Sequence, residues 1–470
     1  MTRAVYRRAQ LRRLFEPRSI AIVGMSPRTG AYGERTFHNL TQVGRFSGRI
    51  HFVNARYDRI GDAPCHPDLR ALPEVPDCVV IALPRELAEP VIAECAEIGA
   101  GGALLYASGY AEVDDPERAA QQARLASIAR GSGLRVLGPN CLGFVDHWRG
   151  TAASFTGVSM AGALQSHAIG VVSQSGALAF ALNQAVDRGV SIGAVLTAGN
   201  ACDVDVADEI AFLAEDPRCR AIACLFEGLA APERLAEAAA IAWTYGKPVV
   251  AYKIGRGPQG AGAARAHTGT VAGEYADWAA LFERAGIVAV DDAEALIETA
   301  AFLAKAPAPR AAGVAVAATS GGAAIMAADM AESFGVNLPQ PAPETLAVLR
   351  EHVPEYGSLR NPCDVTGQVT GNPASLTAVC NALMSDPAYG TVVMPYPQIN
   401  AAAAQRNTVL SEIAGTHGKV ACNVWLSEWR EGPGAREAEA LPHLAVFHSM
   451  RRCFAAIAAW HRREAYARRR

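Results

Sequence analysis

Residues 19–40 read SIAIVGMSPRTGAYGERTFHNL, and this stretch decides the fold. Ser19 to Val23 form a short apolar run with no polar face, as a strand covered by helices on both sides requires. Gly24, Gly30 and Gly33 interrupt the run before a helix-like segment begins. Strand, glycine turn and helix together open a βαβ unit. The same rhythm continues through RIHFVN (49–54), DCVVIALP (77–84), GGALLYAS (101–108) and LRVLGPN (134–140). The expectation is a doubly wound α/β domain with a parallel sheet over about residues 15–148.

The rhythm restarts with HAIGVVSQSG (167–176), SIGAVLTAGN (191–200), CRAIACLFEG (219–228), KPVVAYKIG (247–255) and GIVAVDD (286–292). Helical stretches such as ALAFALNQAVDRG and PERLAEAAAIAWTYG lie between them. KAPAPRAAG (305–313) reads as a linker, and GVAVAATSGGAAIMAADMAESFG (313–335) starts a third unit with later strands near YGTVVMPY and KVACNVWLS. The expected domains are 1–148, 149–305 and 306–470.

At 470 residues, 50% hydrophobic and 19% charged, the chain has the length for two to four globular domains. A net charge of -3 supplies no long-range field for nucleic acid, and the basic tail HRREAYARRR reads as a solvated end. No apolar run approaches membrane-spanning length, and the arginine-bearing start is not a secretory signal, although it shares the acid-poor character of a transit peptide. A cytoplasmic protein without membrane or nucleic-acid partners is expected. The 11 cysteines are scattered without a CxxC pair, which fits buried thiols rather than disulfides, and no metal site is expected.

Ligands of open α/β sheets bind at the carboxyl ends of strands. In the first unit those ends carry Gly24, Met25, Ser26, Gly30 and Gly33, a turn that would bring backbone amides close to a phosphate. It departs from G-x-G-x-x-G because Ser26 stands where the second glycine would be. The second strand ends in Asn54 rather than an acid, so a nucleotide-bearing ligand other than NAD is favoured over a dehydrogenase cofactor. Leu83 and Pro84 follow the next strand, and Asn140 and Cys141 follow the last; these two read as a cap and a core thiol or as pocket lining. A bare βα turn without ligand is the alternative for the whole loop.

In the second unit, Ser173, Gln174, Ser175 and Gly176 join a strand to an Ala- and Leu-rich helix. A serine there caps the helix, and the same amides and helix dipole make a phosphate cradle; the two readings balance. Glu227 ends its strand, as a surface carboxylate or as a group that orients a histidine. His267 lies in RAHTGTVAG (265–273), expected to be a permissive glycine-bearing loop on the same sheet edge. A lone histidine among 11 is ordinarily structural. No G-x-S-x-G elbow or Cys/His pair is present, which argues against acyl-enzyme hydrolysis.

Taken in order, FEPRSIAIVGMSPRTGAYG, VNARY, VVIALPRE, ASGYAE, GPNCLG, VVSQSGALA, LTAGNACDVDVADEI, CLFEGL, KPVVAYKIGR, AHTGTVAG, ATSGGAAIMAAD and NPCDVTG resemble the NDP-forming acyl-CoA synthetases. The likeness is to the α-type half of ADP-forming acetate–CoA ligase and to the α subunit of succinyl-CoA synthetase, and it covers essentially the whole chain. It implies a Rossmann-like CoA-binding domain followed by two flavodoxin-like α/β domains. It implies that His267 is phosphorylated, that Glu227 holds it, that Ser173 to Gly176 receive the phosphate, and that the loop from Met25 to Gly33 approaches the CoA nucleotide. The implied reaction joins a carboxylic acid to CoA at the expense of ATP, giving acyl-CoA, ADP and phosphate. Two departures stand out: Ala266 replaces the family's serine before the histidine, and Thr270-Val271 replaces Ala-Leu. No ATP-grasp segment is recognisable, so the resemblance implies that ATP and Mg bind on a separate ATP-grasp β subunit, in an α2β2-type oligomer. The alternative is a non-catalytic CoA-binding regulatory subunit.

Overall fold

Apolar runs separated by helices pair in parallel, because each helix carries the chain back across the sheet face before the next strand begins. The computed structural model describes residues 3–268 and 273–470, the side chains of residues 265–268 excepted, and contains three sheets. In the first, β1 (Ser19–Val23), β2 (Arg49–Val53), β3 (Arg59–Ile60), β4 (Ala63–His66), β5 (Cys78–Ile81), β6 (Gly102–Leu105) and β7 (Arg135–Leu137) stand in the order β3-β4-β2-β1-β5-β6-β7. All neighbours are parallel except β3 and β4. From β4 onward this is the dinucleotide-fold order, which reverses direction between β1 and β5.

The second sheet comprises β8 (Phe144–Asp146), β9 (Thr151–Ala153), β10 (Ile169–Ser173), β11 (Ile192–Thr197), β12 (Ala221–Phe226), β13 (Val249–Lys253) and β14 (Val288–Ala289), ordered β14-β13-β12-β10-β11-β8-β9. Its five parallel strands follow the flavodoxin order, with the reversal between β10 and β12. The third sheet, β15 (Gly313–Ala318), β16 (Cys363–Asp364), β17 (Tyr389–Tyr396), β18 (Val420–Trp425) and β19 (Leu444–Phe447), repeats that order as β16-β15-β17-β18-β19. A Rossmann-like sheet followed by two flavodoxin-like sheets is the expected architecture. Every residue of β1, β5, β6, β10, β11 and β12 is buried, which explains why these runs have no polar face.

The chain divides into two compact units. One comprises residues 1–164, 169–186 and 192–293 and contains the first two sheets; the other comprises residues 165–168, 187–191 and 294–470 and contains the third. β8, placed before residue 149 by the sequence division, pairs antiparallel with β11 and extends the second sheet. Helix Ala293–Lys305, counted with the second domain, lies in the second unit from Glu294 onward. Within the first unit both sheets share a core in which Phe15 packs at 5.4 Å from Phe144 and 5.0 Å from Phe212, ring centre to ring centre. In the second unit Tyr389, Met394 and Trp425 are fully buried around the third sheet.

The segment expected as a loop after β13 is a correction. Residues Pro258–Thr268 form a helix, so the backbone of His267 is helical. Alanine at 261, 263, 264 and 266 outweighs the two glycines, each costing about 1 kcal/mol against alanine, and proline at the first position starts a helix well. All 11 cysteines are free and buried. Among the described residues no helix is long and apolar enough to cross a membrane, and no group of three or more metal-ligating side chains gathers.

Candidate functional site

At the reversal point of the second sheet, the paired strands β10 and β12 send their chains in opposite directions, the place where open α/β sheets form a ligand crevice. Ser173 pairs with Leu225 in the ladder, so the residues just beyond each strand meet across the crevice. Ser173 is buried; its hydroxyl donates to Ser175 O at 2.7 Å and accepts from Ser175 N at 3.1 Å, which tightens the turn. Ser175 is the N-cap of helix Gly176–Asn183, accepting from Leu178 N at 3.4 Å. Gln174 turns inward instead. Its Oε1 accepts from Glu227 N at 2.9 Å and from Gly228 N at 3.2 Å, tying the turn to the end of β12. The structure thus gathers Ser173, Gln174, Ser175, Gly176 and Glu227, whose side chain is almost fully buried.

The helix start presents backbone amides and the positive end of its dipole at this crevice, a ready environment for an anion. The far end of the same helix is also fixed. His147 Nδ1 accepts from Ala161 N at 3.1 Å, so the neutral ring carries its proton on Nε2 and donates it to Asn183 Oδ1 at 2.8 Å. Burial pushes the His147 pKa down to about 4, against the hydrogen bond to Asn183. His267 is the next-to-last residue of its helix, and its side chain is outside the described residues, as are Gly269 to Ala272 altogether.

The reversal point of the first sheet lies between β1 and β5, and the residues expected there converge. Gly24 has a φ of +87°, and a Cβ on it would stand 2.6 Å from Ala82 O and 2.9 Å from a methyl of Leu83. A Cβ on Gly33 would stand 3.0 Å from Gly24 O, so two glycines let helix Tyr32–His38 start against the turn. Asn54 donates to Met25 O at 2.7 Å and accepts from Arg56 N at 3.0 Å; it braces the turn. Ser26 accepts from Arg28 N at 3.2 Å, and Gly30 N donates to Glu34 at 3.0 Å. Pro84 is exposed at the start of the short helix Arg85–Leu87.

At the end of β7, Asn140 adopts a left-handed φ of 55° and donates to Asn200 Oδ1 at 3.2 Å. Cys141 is the core-thiol alternative: it is 1% exposed, its sulfur lies 2.9 Å from Thr197 O, and burial pushes its pKa up to about 12. Sequence reasoning missed Tyr32, half exposed and stacked on Phe155 at 4.0 Å with a 16° interplanar angle, beside the glycine turn. The signal was an aromatic between two turn glycines, which a glycine count passes over.

Residues 18–147 match a CoA binding domain family, and residues 166–303 match the succinyl-CoA ligase like flavodoxin domain family. The acetate–CoA ligase [ADP-forming] I subunit alpha of Pyrococcus furiosus is 31% identical over 77% of this chain and 78% of its own length. The chain belongs to the NDP-forming acyl-CoA synthetase family. The trans-feruloyl-CoA synthase FCS1 of an unidentified prokaryote is 32% identical over 82% of this chain and 54% of its own length. A solved structure of the dinucleotide-forming acetyl-coenzyme A synthetase 1 of Candidatus Korarchaeum cryptofilum, in complex with phosphate and ADP, superposes with a TM-score of 0.84 at 27% identity, covering 98% of this chain and 97% of that one. The chain spans about half the length of the first curated relatives it matches, 54% and 51%. Each of the two matched segments contains one of the reversal points described above, one in each of the first two sheets.

Proposed function

We propose that this chain is the α-type part of an ADP-forming acyl-CoA ligase, converting a carboxylic acid, CoA and ATP into acyl-CoA, ADP and phosphate. The observation that carries the reading is the clasp of Gln174 on the amides of Glu227 and Gly228, which holds a phosphate-type turn and a buried carboxylate together at one reversal point. His267 supplies the nucleophile. Its imidazole nitrogen attacks the γ-phosphorus, the bond to the ADP oxygen breaks, and a phosphohistidine remains. Glu227 orients the ring and faces the positive charge that develops on it, while the amides opening helix Gly176–Asn183 stabilise the phosphoryl oxygens.

The carboxylic acid takes the phosphoryl group from the histidine to form an acyl phosphate. Its carbonyl is then open to the CoA thiol, with inorganic phosphate leaving and the thiol proton passing to it. The turn of Gly24, Met25, Ser26, Gly30 and Gly33, with Asn54, Leu83, Pro84 and Asn140, supports CoA as the ligand of the first sheet; its close glycine approach suits a diphosphate. ATP and Mg would bind an ATP-grasp partner, in keeping with the subunit name of the Pyrococcus furiosus relative.

The histidine step is testable without that partner. Acetyl phosphate labelled in its phosphoryl group should transfer label to the chain in acid-labile, base-stable form, and His267→Ala should abolish it. Label that survives His267→Ala overturns the assignment. CoA binding without any label would favour a regulatory CoA-binding subunit.

A further inference from the structure

Three turns meet where the first two sheets adjoin: residues 106–112 after β6, 138–141 after β7 and 198–202 after β11. Asn200 ties them together. Its Nδ2 donates to Glu112 Oε2 and, at 2.9 Å, to Gln122 Oε1 of helix Pro116–Ser132, while its Oδ1 accepts from Asn140 Nδ2 at 3.2 Å. The partners are themselves fixed. Glu112 accepts from the amides of Gly109 and, at 2.9 Å, Tyr110, and Gln122 accepts from Ala111 N at 3.3 Å. The backbone runs the same way, Asn200 N donating to Pro139 O at 2.9 Å and Cys202 N to Gly138 O at 3.0 Å. One amide side chain thus clasps the carboxyl edge of the first sheet to that of the second.

Cohesion does not call for this clasp. The shared core around Phe15 already joins the two sheets, and hydrogen bonds exchanged with water add little net stability. Directional bonds fix register instead. Asn140 and Ala201 hold left-handed φ values of 55° and 53°, and a Cβ on Gly199 would stand 2.5 Å from both Pro139 O and Asn140 O. Such backbone persists only where its surroundings over-determine it, and it gathers at functional sites. A groove of about 460 Å³ lies against the clasp, lined by Ala198, Asn200 and Ala201 together with Gln174 and Gly228 from the reversal point of the second sheet. One cavity, of a size suited to a small ligand, therefore touches both the clasp and the phosphate-type turn.

We infer that Asn200 is a positioning residue for acyl transfer, clasping the two sheet edges so that the CoA thiol, held over the first sheet, meets the acyl phosphate carbonyl in this groove. The inference rests on the acyl-CoA ligase reading. In the step it serves, the thiol sulfur bonds to the carbonyl carbon, the carbon–oxygen bond to phosphate breaks, and the thiol proton leaves with the phosphate. Asn200 acts through Asn140 and the turn that Glu112 holds, and an error of about 1 Å in their placement costs such a reaction on the order of 100-fold.

The purified chain, given acetyl phosphate labelled in its phosphoryl group, yields two rates: label on His267, and thioester formed when CoA is added. Asn200→Ala should lower the thioester rate about 10- to 100-fold relative to the labelling rate, and saturating CoA should not repair the loss. Labelling in the same sample reports that the chain is folded. Asn200→Asp sets a carboxylate against Glu112 and should lose at least as much. Adding Glu112→Gln restores an amide–carboxylate pair in reversed orientation and should bring the ratio back to within about 3-fold of wild type. Two rates that fall in parallel, a loss that saturating CoA repairs, or a double variant no better than Asn200→Asp overturns the inference while the ligase reading stands. A wild-type chain that forms no thioester fails the ligase reading itself, and the inference falls with it before any substitution is made.

Discussion

Gln174 accepts two buried backbone donors, from residues 53 and 54 positions away in the chain. Gln174→Leu orphans both, and each unmet buried N–H costs about 1–3 kcal/mol, so urea unfolding should show a loss of about 2–6 kcal/mol together with loss of His267 labelling. Gln174→Glu offers the same N–H groups a carboxylate oxygen. It should retain most of the stability yet slow labelling about 10-fold, because it sets a negative charge beside the incoming phosphoryl group. Labelling unchanged in both variants would remove the turn from the mechanism. The sequence places Gln174 among the phosphate-turn residues, but its inward orientation comes from the pairing of β10 with β12, which no local pattern contains.

The turn between β1 and helix Tyr32–His38 is governed by close approach. Gly24→Ala forces a side chain into a left-handed conformation, which costs about 1–2 kcal/mol, and sets its Cβ 2.6 Å from a backbone carbonyl that cannot move aside. Calorimetric titration with CoA should show at least about 10-fold weaker binding, since the displaced helix start carries the amides proposed to meet the diphosphate. CoA affinity equal to wild type would place that ligand elsewhere. The long strands were legible because their apolar runs are bounded by glycine and polar turns. The pieces missed were β3, β4, β8, β9, β16 and β19, which have two to four residues; β3, β4, β8 and β9, unlike the equally short β5, β6, β7 and β14, fall outside the strand–helix alternation that marked the others. The helix Pro258–Thr268 was hidden by its glycines, which outrank alanine in a loop search but not in a helix-forming run.

Each compact unit carries a buried neutral histidine, which contributes to the acid sensitivity of the molecule. His147 lies in the first unit and His167 in the second, and burial pushes both pKa values down to about 4, with Lys305 further lowering His167. An unfolded histidine titrates near about 6.5, so below that value the unfolded state binds the extra proton. The stabilisation is fully present above about pH 6.5 and is lost as pH falls toward about 4, on the order of 3 kcal/mol at His147. Urea midpoints at about pH 7.5 and 5 should therefore separate for wild type, and His147→Gln should narrow the gap. A gap unchanged in His147→Gln would rule out this source of acid sensitivity. What the sequence determined by itself was local: apolar runs that can only be buried strands, glycine turns that can open a helix, and motifs in family order. Strand order was decided only by tertiary structure. The crossovers that put β5 beside β1 and β12 beside β10 create the two reversal points, and crevices exist only where neighbouring strands send their chains in opposite directions. The lowered pKa of the buried Lys253 belongs to the same class, because desolvation is a property of the packed interior and not of the residue.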